Sequence, residues 1–175
     1  MMDGVEIRES RPADRDALED LYGAAFPDED LIALLRELLA EADGVFSFVA
    51  VRGAALLGHI AFTVCGLAGR REKVGMLAPL AVRPEVQRQG LGGALIGEGL
   101  RRLKGEGVTR VQVLGDPAYY GRHGFAPDDD IAPPYDLPPA WRTAWQSISL
   151  RDGAPRLAGK LSVPKPWRRP ALWAP

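Results

Sequence analysis

The sequence predicts an α/β fold of the α+β kind, with a sheet of about six or seven strands flanked by about four helices. Three observations carry this expectation. Short stretches such as VEIRES, VFSFVAVRG and VTRVQVL alternate apolar and polar residues, or run apolar, as strands do. Other stretches repeat apolar residues at helical spacing. Glycine or proline punctuates nearly every junction. The chain has 175 residues, which suits one domain over 1–175 with a substantial core.

Val5–Ser10 alternates and reads as the first strand. Ser10 or Asp14 offers a cap for the next helix, and Pro12 suits a first helical turn. Ala17, Leu18, Leu21, Ala24 and Ala25 form its apolar stripe, and Pro27 ends it. Leu31, Leu34, Leu35, Leu38 and Leu39 mark a second helix, stopped by Gly44. Val45–Gly53 and Ala55–Cys65 read as paired strands, and Lys73–Val82 as a fourth. A helix is expected from Leu91 to about Glu106, then a fifth strand over Val108–Leu114. A short helical piece follows over Pro117–His123, ending at Gly124. Ten of the fifteen prolines lie from Pro127 onward, which excludes a long helix there. In that region Trp145–Gly153 and Leu157–Pro164 read as a hairpin, and KPWRRPALWAP as a tail or surface strap.

Composition narrows the function. Lys and Arg number 22 against 23 Asp and Glu, a net charge of −1, which offers no general attraction for nucleic acid or an anionic membrane. The opening MMDGVEIRES lacks the apolar core of a signal peptide. No segment reaches the roughly 20 apolar residues of a spanning helix. One cysteine, Cys65, excludes an internal disulfide and a Cys-rich metal site, and fits a cytoplasmic protein. Cys65 lies on a strand and reads as a small buried apolar residue, not a nucleophile.

The chemistry concentrates in AVRPEVQRQGLGGALIGEGL, Ala81–Leu100. Gly90, Gly92 and Gly93 stand where a helix starts, so the exposed N–H groups of its first turn can approach an anion closely. Arg88 adds a cation and Gln87 a neutral donor. A P-loop requires Gly-Lys-Ser/Thr, whereas Gly92-Gly93 precedes Ala94. The dinucleotide fingerprint requires glycine where Leu95 stands, and a tighter strand-to-helix turn than Arg83 to Gln89 allows. Gln87-Arg88-Gln89-Gly90-Leu91-Gly92 fits Q/R-x-x-G-x-G/A instead. A strand with Leu80-Ala81-Val82 comes before it, and PAYYGRHGF, Pro117–Phe125, comes after the next strand.

This constellation resembles the GNAT family of N-acetyltransferases, in element order from Val5 to Phe125, with wording in LGDPAYYGRHGF similar to a YhbS-type bacterial subgroup. The resemblance implies a mixed, mostly antiparallel sheet, splayed between the fourth and fifth strands. Acetyl-CoA is the implied cosubstrate, with no metal. Its pyrophosphate would meet the backbone of Gln89, Gly90, Leu91, Gly92, Gly93 and Ala94, with Gln87 and Arg88 beside it. Its pantetheine arm would run along Leu80, Ala81 and Val82, with the Leu80 N–H near the thioester oxygen. Pro79 suits the bulge or edge such a strand needs.

The implied proton donor to the departing thiolate is Tyr120, four residues before Gly124; Tyr119 is its rival, or both rings pack. No carboxylate occupies Gly75, Met76, Leu77 or Ala78, where many family members carry a glutamate. Glu72, Glu29, Asp30 and His59 stay open as bases, as does water. His59 and His123 read as structural, and Asp116 as a cap. The implied activity is acetyl transfer to a primary amine in a ternary complex. The alternative is an acyl-CoA-binding regulatory module without catalysis. Family members often form homodimers.

Overall fold

Ala55–Leu67 and Lys73–Val82, the third and fourth strands, run through the middle of the sheet and contribute to both compact units of the chain. The computed structural model describes residues 3–175. One unit comprises Met1–Phe62 and Ala78–Arg101, the other Thr63–Leu77 and Arg102–Pro175.

The first unit holds β1 (Glu6–Glu9), α1 (Arg15–Ala25), α2 (Ile32–Leu39) and β2 (Val45–Arg52). It also holds the start of β3 (Ala55–Leu67), the end of β4 (Lys73–Val82) and most of α3 (Leu91–Gly105). β1 pairs antiparallel with β2, Glu6 opposite Val51 and Glu9 opposite Phe48. Leu18, Leu21 and Tyr22 of α1 pack with Leu35, Val49, Val51, Leu56 and Ala81. Burial of such side chains contributes roughly 1.5–3 kcal/mol each. The expected stripe differs in one place: Ala24 is exposed and Tyr22 is buried. Tyr22 can be buried because its hydroxyl bonds His59. Ser10 does not cap α1; its hydroxyl donates to Ser47 Oγ at 2.7 Å. Asp14 precedes the helix, takes both amino groups of Arg8 and accepts from the Arg11 N–H at 2.7 Å. α3 lies on β3 at Gly99, where a Cβ would stand 1.8 Å from Phe62 Cε2.

The second unit holds the rest of β3, β4 and α3, with β5 (Arg110–Leu114), α4 (Pro117–Tyr120), β6 (Ala126–Pro127) and β7 (Ile131–Ala132). β8 (Trp145–Ser149) and β9 (Gly159–Ser162) complete it. β4 and β5 are parallel, with Val74, Gly75 and Met76 opposite Arg110, Val111 and Gln112. β8 runs antiparallel on the far edge of β5, Leu114 opposite Trp145 and Arg110 opposite Ser149. The sheet order is β1-β2-β3-β4-β5-β8-β6, with β9 on β3 and β7 on β9. The mixed, mostly antiparallel sheet is therefore present.

The expected hairpin in the proline-rich region is not. β8 takes β5 and β6 as partners, and β9 takes β3 and β7. Both strands find a longer-range edge that buries their apolar residues, Trp145 and Leu161. The terminal segment is a packed strap. Trp167 Nε1 donates to Thr63 Oγ1 at 3.1 Å, and Trp173 Nε1 to the Trp167 carbonyl at 3.1 Å. Trp173 also meets the Trp145 ring edge-on, centroids 5.8 Å apart. Among the described residues no helix is long and apolar enough to cross a membrane.

Candidate active site

The loop between β4 and α3 is held from below. The Arg83 N–H donates to the Leu57 carbonyl at 2.9 Å, its Nε to the Leu56 carbonyl at 2.8 Å, and its guanidinium pairs with Asp20. Sequence reasoning passed over this anchor. The signal was present in Arg83-Pro84, where the strand breaks and a side chain must tie the loop down.

Beyond Arg83 the chain makes a short 3-10 turn over Pro84–Val86. The Gln87 Nε2 donates back to the Val82 carbonyl at 3.1 Å, so one of its donors closes the loop. Arg88 then adopts φ 63° and Gly90 φ 87°. The left-handed region costs a residue with a Cβ about 1–2 kcal/mol. Arg88 carries that cost while exposed to solvent. The first bond of α3 runs from the Ala94 N–H to the Gly90 carbonyl at 3.0 Å. Leu91, Gly92 and Gly93 are then the first-turn residues, whose N–H groups have no carbonyl one turn back. They sit at the positive end of the helix dipole, next to Arg88 and Gln89, as an anion cradle requires.

β4 leads into this loop through Leu80, Ala81 and Val82. Arg83 N–H points to β3, so the backbone groups of Leu80 and Val82 point to the opposite side by strand alternation. The register with β5 covers Val74–Met76, below this point. Ala81 is buried, and Leu80 and Val82 are half-buried. The Ala78–Pro79 peptide is cis.

In the second unit, Tyr120 closes α4. Its ring lies against Gly115, where a Cβ would stand 2.4 Å from Tyr120 Cε2. It meets Phe125 and Tyr119 edge-on, centroids 5.7 and 5.0 Å away. Burial, and secondarily Tyr119, raises the Tyr120 phenol well above its usual value. It stays protonated at neutral pH and can donate its O–H. Burial raises the Tyr119 phenol as well, against the opposing charge of Arg122, which lies 5.2 Å from its ring centroid. Asp116 caps α4, accepting from the Ala118 N–H at 2.9 Å. His123 ends the 3-10 turn Gly121–His123, and burial followed by Arg122 lowers its pKa.

The rival bases fare poorly. His59 is fully buried, with Nδ1 2.7 Å from the Tyr22 hydroxyl and Nε2 2.7 Å from Ser47 Oγ. Either neutral tautomer satisfies both contacts. Burial lowers its pKa to about 3, so it is a structural imidazole. Glu72 is tied to Arg70, which holds its carboxyl below the ordinary value. Glu29 and Asp30 are exposed beyond α1. Burial pushes the Cys65 thiol up to about 12, which leaves it inert. No group of three His, Cys, Asp or Glu side chains among the described residues could hold a metal ion.

The model of the acetyltransferase (GNAT) family matches residues 15–125, and the chain belongs to that family. It is 35% identical over 150 residues to the uncharacterized N-acetyltransferase YjhQ of Escherichia coli (strain K12), covering 83% of this chain and 82% of YjhQ. A structure of YhbS, a GNAT family N-acetyltransferase from Escherichia coli in complex with CoA, superposes with TM-score 0.83 at 27% identity. It covers 94% of this chain and 92% of that one. A GNAT family acetyltransferase from Brucella melitensis in complex with acetyl-CoA gives TM-score 0.75 at 28% identity, over 93% and 97% of the two chains.

Proposed function

We propose that this chain, acting as one cytoplasmic catalytic domain, transfers the acetyl group of acetyl-CoA directly to a primary amine. The observation that carries the reading is the loop of residues 88–93, where two left-handed residues, Arg88 and Gly90, precede the glycine-rich start of α3. Leu91, Gly92 and Gly93 would donate to the pyrophosphate, with Gln89 and Gly90 in the turn, Ala94 flanking it, and Arg88 adding charge. Gln87 would contribute the donor that Val82 does not hold. Leu80, Ala81 and Val82 would carry the pantetheine arm, with the Leu80 N–H polarising the thioester carbonyl.

In the reaction, the neutral amine nitrogen attacks the thioester carbon. A C–N bond forms and the C–S bond breaks. The sulfur takes one proton and the amine nitrogen loses one, so free CoA and an amide result. Tyr120 would donate toward the sulfur and recover the proton through water. A phenol near 10 against an alkyl thiol near 8.5 makes complete transfer uphill by roughly 2 kcal/mol. The raised phenol of Tyr120 steepens that, which favours a hydrogen bond tightening as charge builds on sulfur over a preformed ion.

The β4 residues Gly75–Ala78 carry no carboxylate, and this favours the second reading, a non-catalytic acyl-CoA sensor. Thiol release from acetyl-CoA over a panel of primary amines decides between them. Release that depends on amine supports the transferase; CoA binding without release supports the sensor.

A further inference from the structure

Within the second unit, the chain between β6 and β8 surrounds an open cavity of about 390 Å³. Small-molecule sites occupy about 300–1,000 Å³, so this one admits a compact ligand. Its floor is apolar. Ile131 is fully buried and Trp145 nearly so. The Trp145 ring is fixed there, because its Nε1 donates to the Ile131 carbonyl at 2.7 Å. Leu137 and Pro138 add half-buried apolar walls. Pro133, Pro138 and Pro139 each lock a φ angle of the lining chain, so little freedom is lost when the cavity fills.

Charge gives the cavity a sign. Asp128, Asp129 and Asp136 line it against a single cation, Arg142. Two of these carboxylates are engaged within the protein. Asp128 is 7% exposed, pairs with Arg110 at 3.1 Å and accepts from the Asp130 and Ile131 N–H groups at 2.8 and 3.3 Å. Asp129 pairs with Arg142 at 3.2 Å. Asp136 is exposed, and among the described residues its carboxylate has no hydrogen-bond or ion-pair partner. One unmatched carboxylate therefore stands beside an apolar hollow.

We infer that this cavity binds a small organic monocation, an ammonium or guanidinium group on an aromatic or branched aliphatic body. The body covers Ile131 and Trp145, and the cation pairs with Asp136. A neutral molecule of the same shape forgoes the ion pair, and an anion meets like charge. A polyamine brings further charges that find no free carboxylate, and no body for the floor. The site lies wholly within the second unit and stands apart from the transferase reading, since it needs neither acetyl-CoA nor an amine N–H.

The probe is phenethyltrimethylammonium, titrated by calorimetry into the full chain without acetyl-CoA. It carries no N–H and cannot be acetylated, so its failure to bind leaves the transferase reading untouched. Wild type should bind it roughly fivefold or more tighter than 2-phenylethanol, with 3-phenylpropionate weakest. Asp136→Asn, at an exposed position, should weaken the cation by about threefold or more and leave the alcohol within about twofold. Ala132→Trp puts a large ring at an exposed lining position and should weaken both ligands together. The Trp145 indole N–H resonance, assigned with Trp145→Phe, should shift during the titration. Asp136→Asn carries the test alone if Ala132→Trp does not fold. Equal affinity for cation and alcohol, undiminished cation binding in Asp136→Asn, or an unshifted Trp145 resonance overturns the inference. So does tighter binding of spermidine or of a lysine-rich peptide than of the probe.

Discussion

Phe62 of β3 lies on the backbone of Gly99 in α3, so close that a Cβ at position 99 would stand 1.8 Å from Cε2 and 2.3 Å from Cζ. Phe62 is fully buried and cannot swing to solvent. Gly99→Ala should therefore overpack the contact by about 3 kcal/mol and lower Tm by roughly 10 °C. Adding Phe62→Leu should restore part of the loss. Thermal unfolding of both variants checks this, and additive losses would disprove the contact.

The cradle predicts a separation of stability from binding. Arg88→Gly relieves the left-handed strain at φ 63°, so Tm should stay within about 3 °C of wild type or rise. The same change removes a cation, and CoA affinity by calorimetry should fall roughly tenfold. Gly92→Glu should abolish CoA binding through bulk and charge; normal affinity in it would place the pyrophosphate elsewhere.

Tyr120→Phe keeps the ring contacts with Gly115, Tyr119 and Phe125. Turnover should fall by about 10²-fold or more, with CoA affinity and Tm near normal. An unchanged turnover would remove the phenol from the reaction.

His59 sets an acid limit on stability. Its folded pKa of about 3 lies below the 6.5 of an unfolded imidazole, so between these values the unfolded chain binds the extra proton. Stability is full above about pH 6.5 and falls as pH drops toward 3, by at most about 1.4 kcal/mol per pH unit. Asp14, held below its ordinary value first by its hydrogen bond to Arg8, loses its contribution lower still, below the usual 3.8. Denaturant titrations of wild type and His59→Gln at stepped pH check the assignment: the variant should lose the slope between pH 6.5 and 4.

The legible parts of this fold share one property, a pattern set by near neighbours. The bounds of β4 at Lys73 and Val82 and the start of α3 at Leu91 follow from period and punctuation. The leucines of α2 fell on its buried face for the same reason. Partner choice among Trp145–Ser149 and Gly159–Ser162 is set by distant edges on β5 and β3, which no local pattern encodes. VTRVQVL reads as a strand from its alternation, but the burial of Gln112 together with Val111 and Val113 follows from the place of β5 between β4 and β8, which no local pattern encodes. The glycine-rich start of α3 was visible in the sequence, but the left-handed turn at Arg88 was not, since arginine carries no propensity for it.

All four tryptophans, Trp141, Trp145, Trp167 and Trp173, belong to the second unit. Indole emission is thus a native label for one half of the chain, while Tyr22 sits in the other. Following indole fluorescence and backbone circular dichroism through the same denaturant series tells whether the halves melt as one cooperative body or in sequence: coincident curves mean the former, separated midpoints the latter.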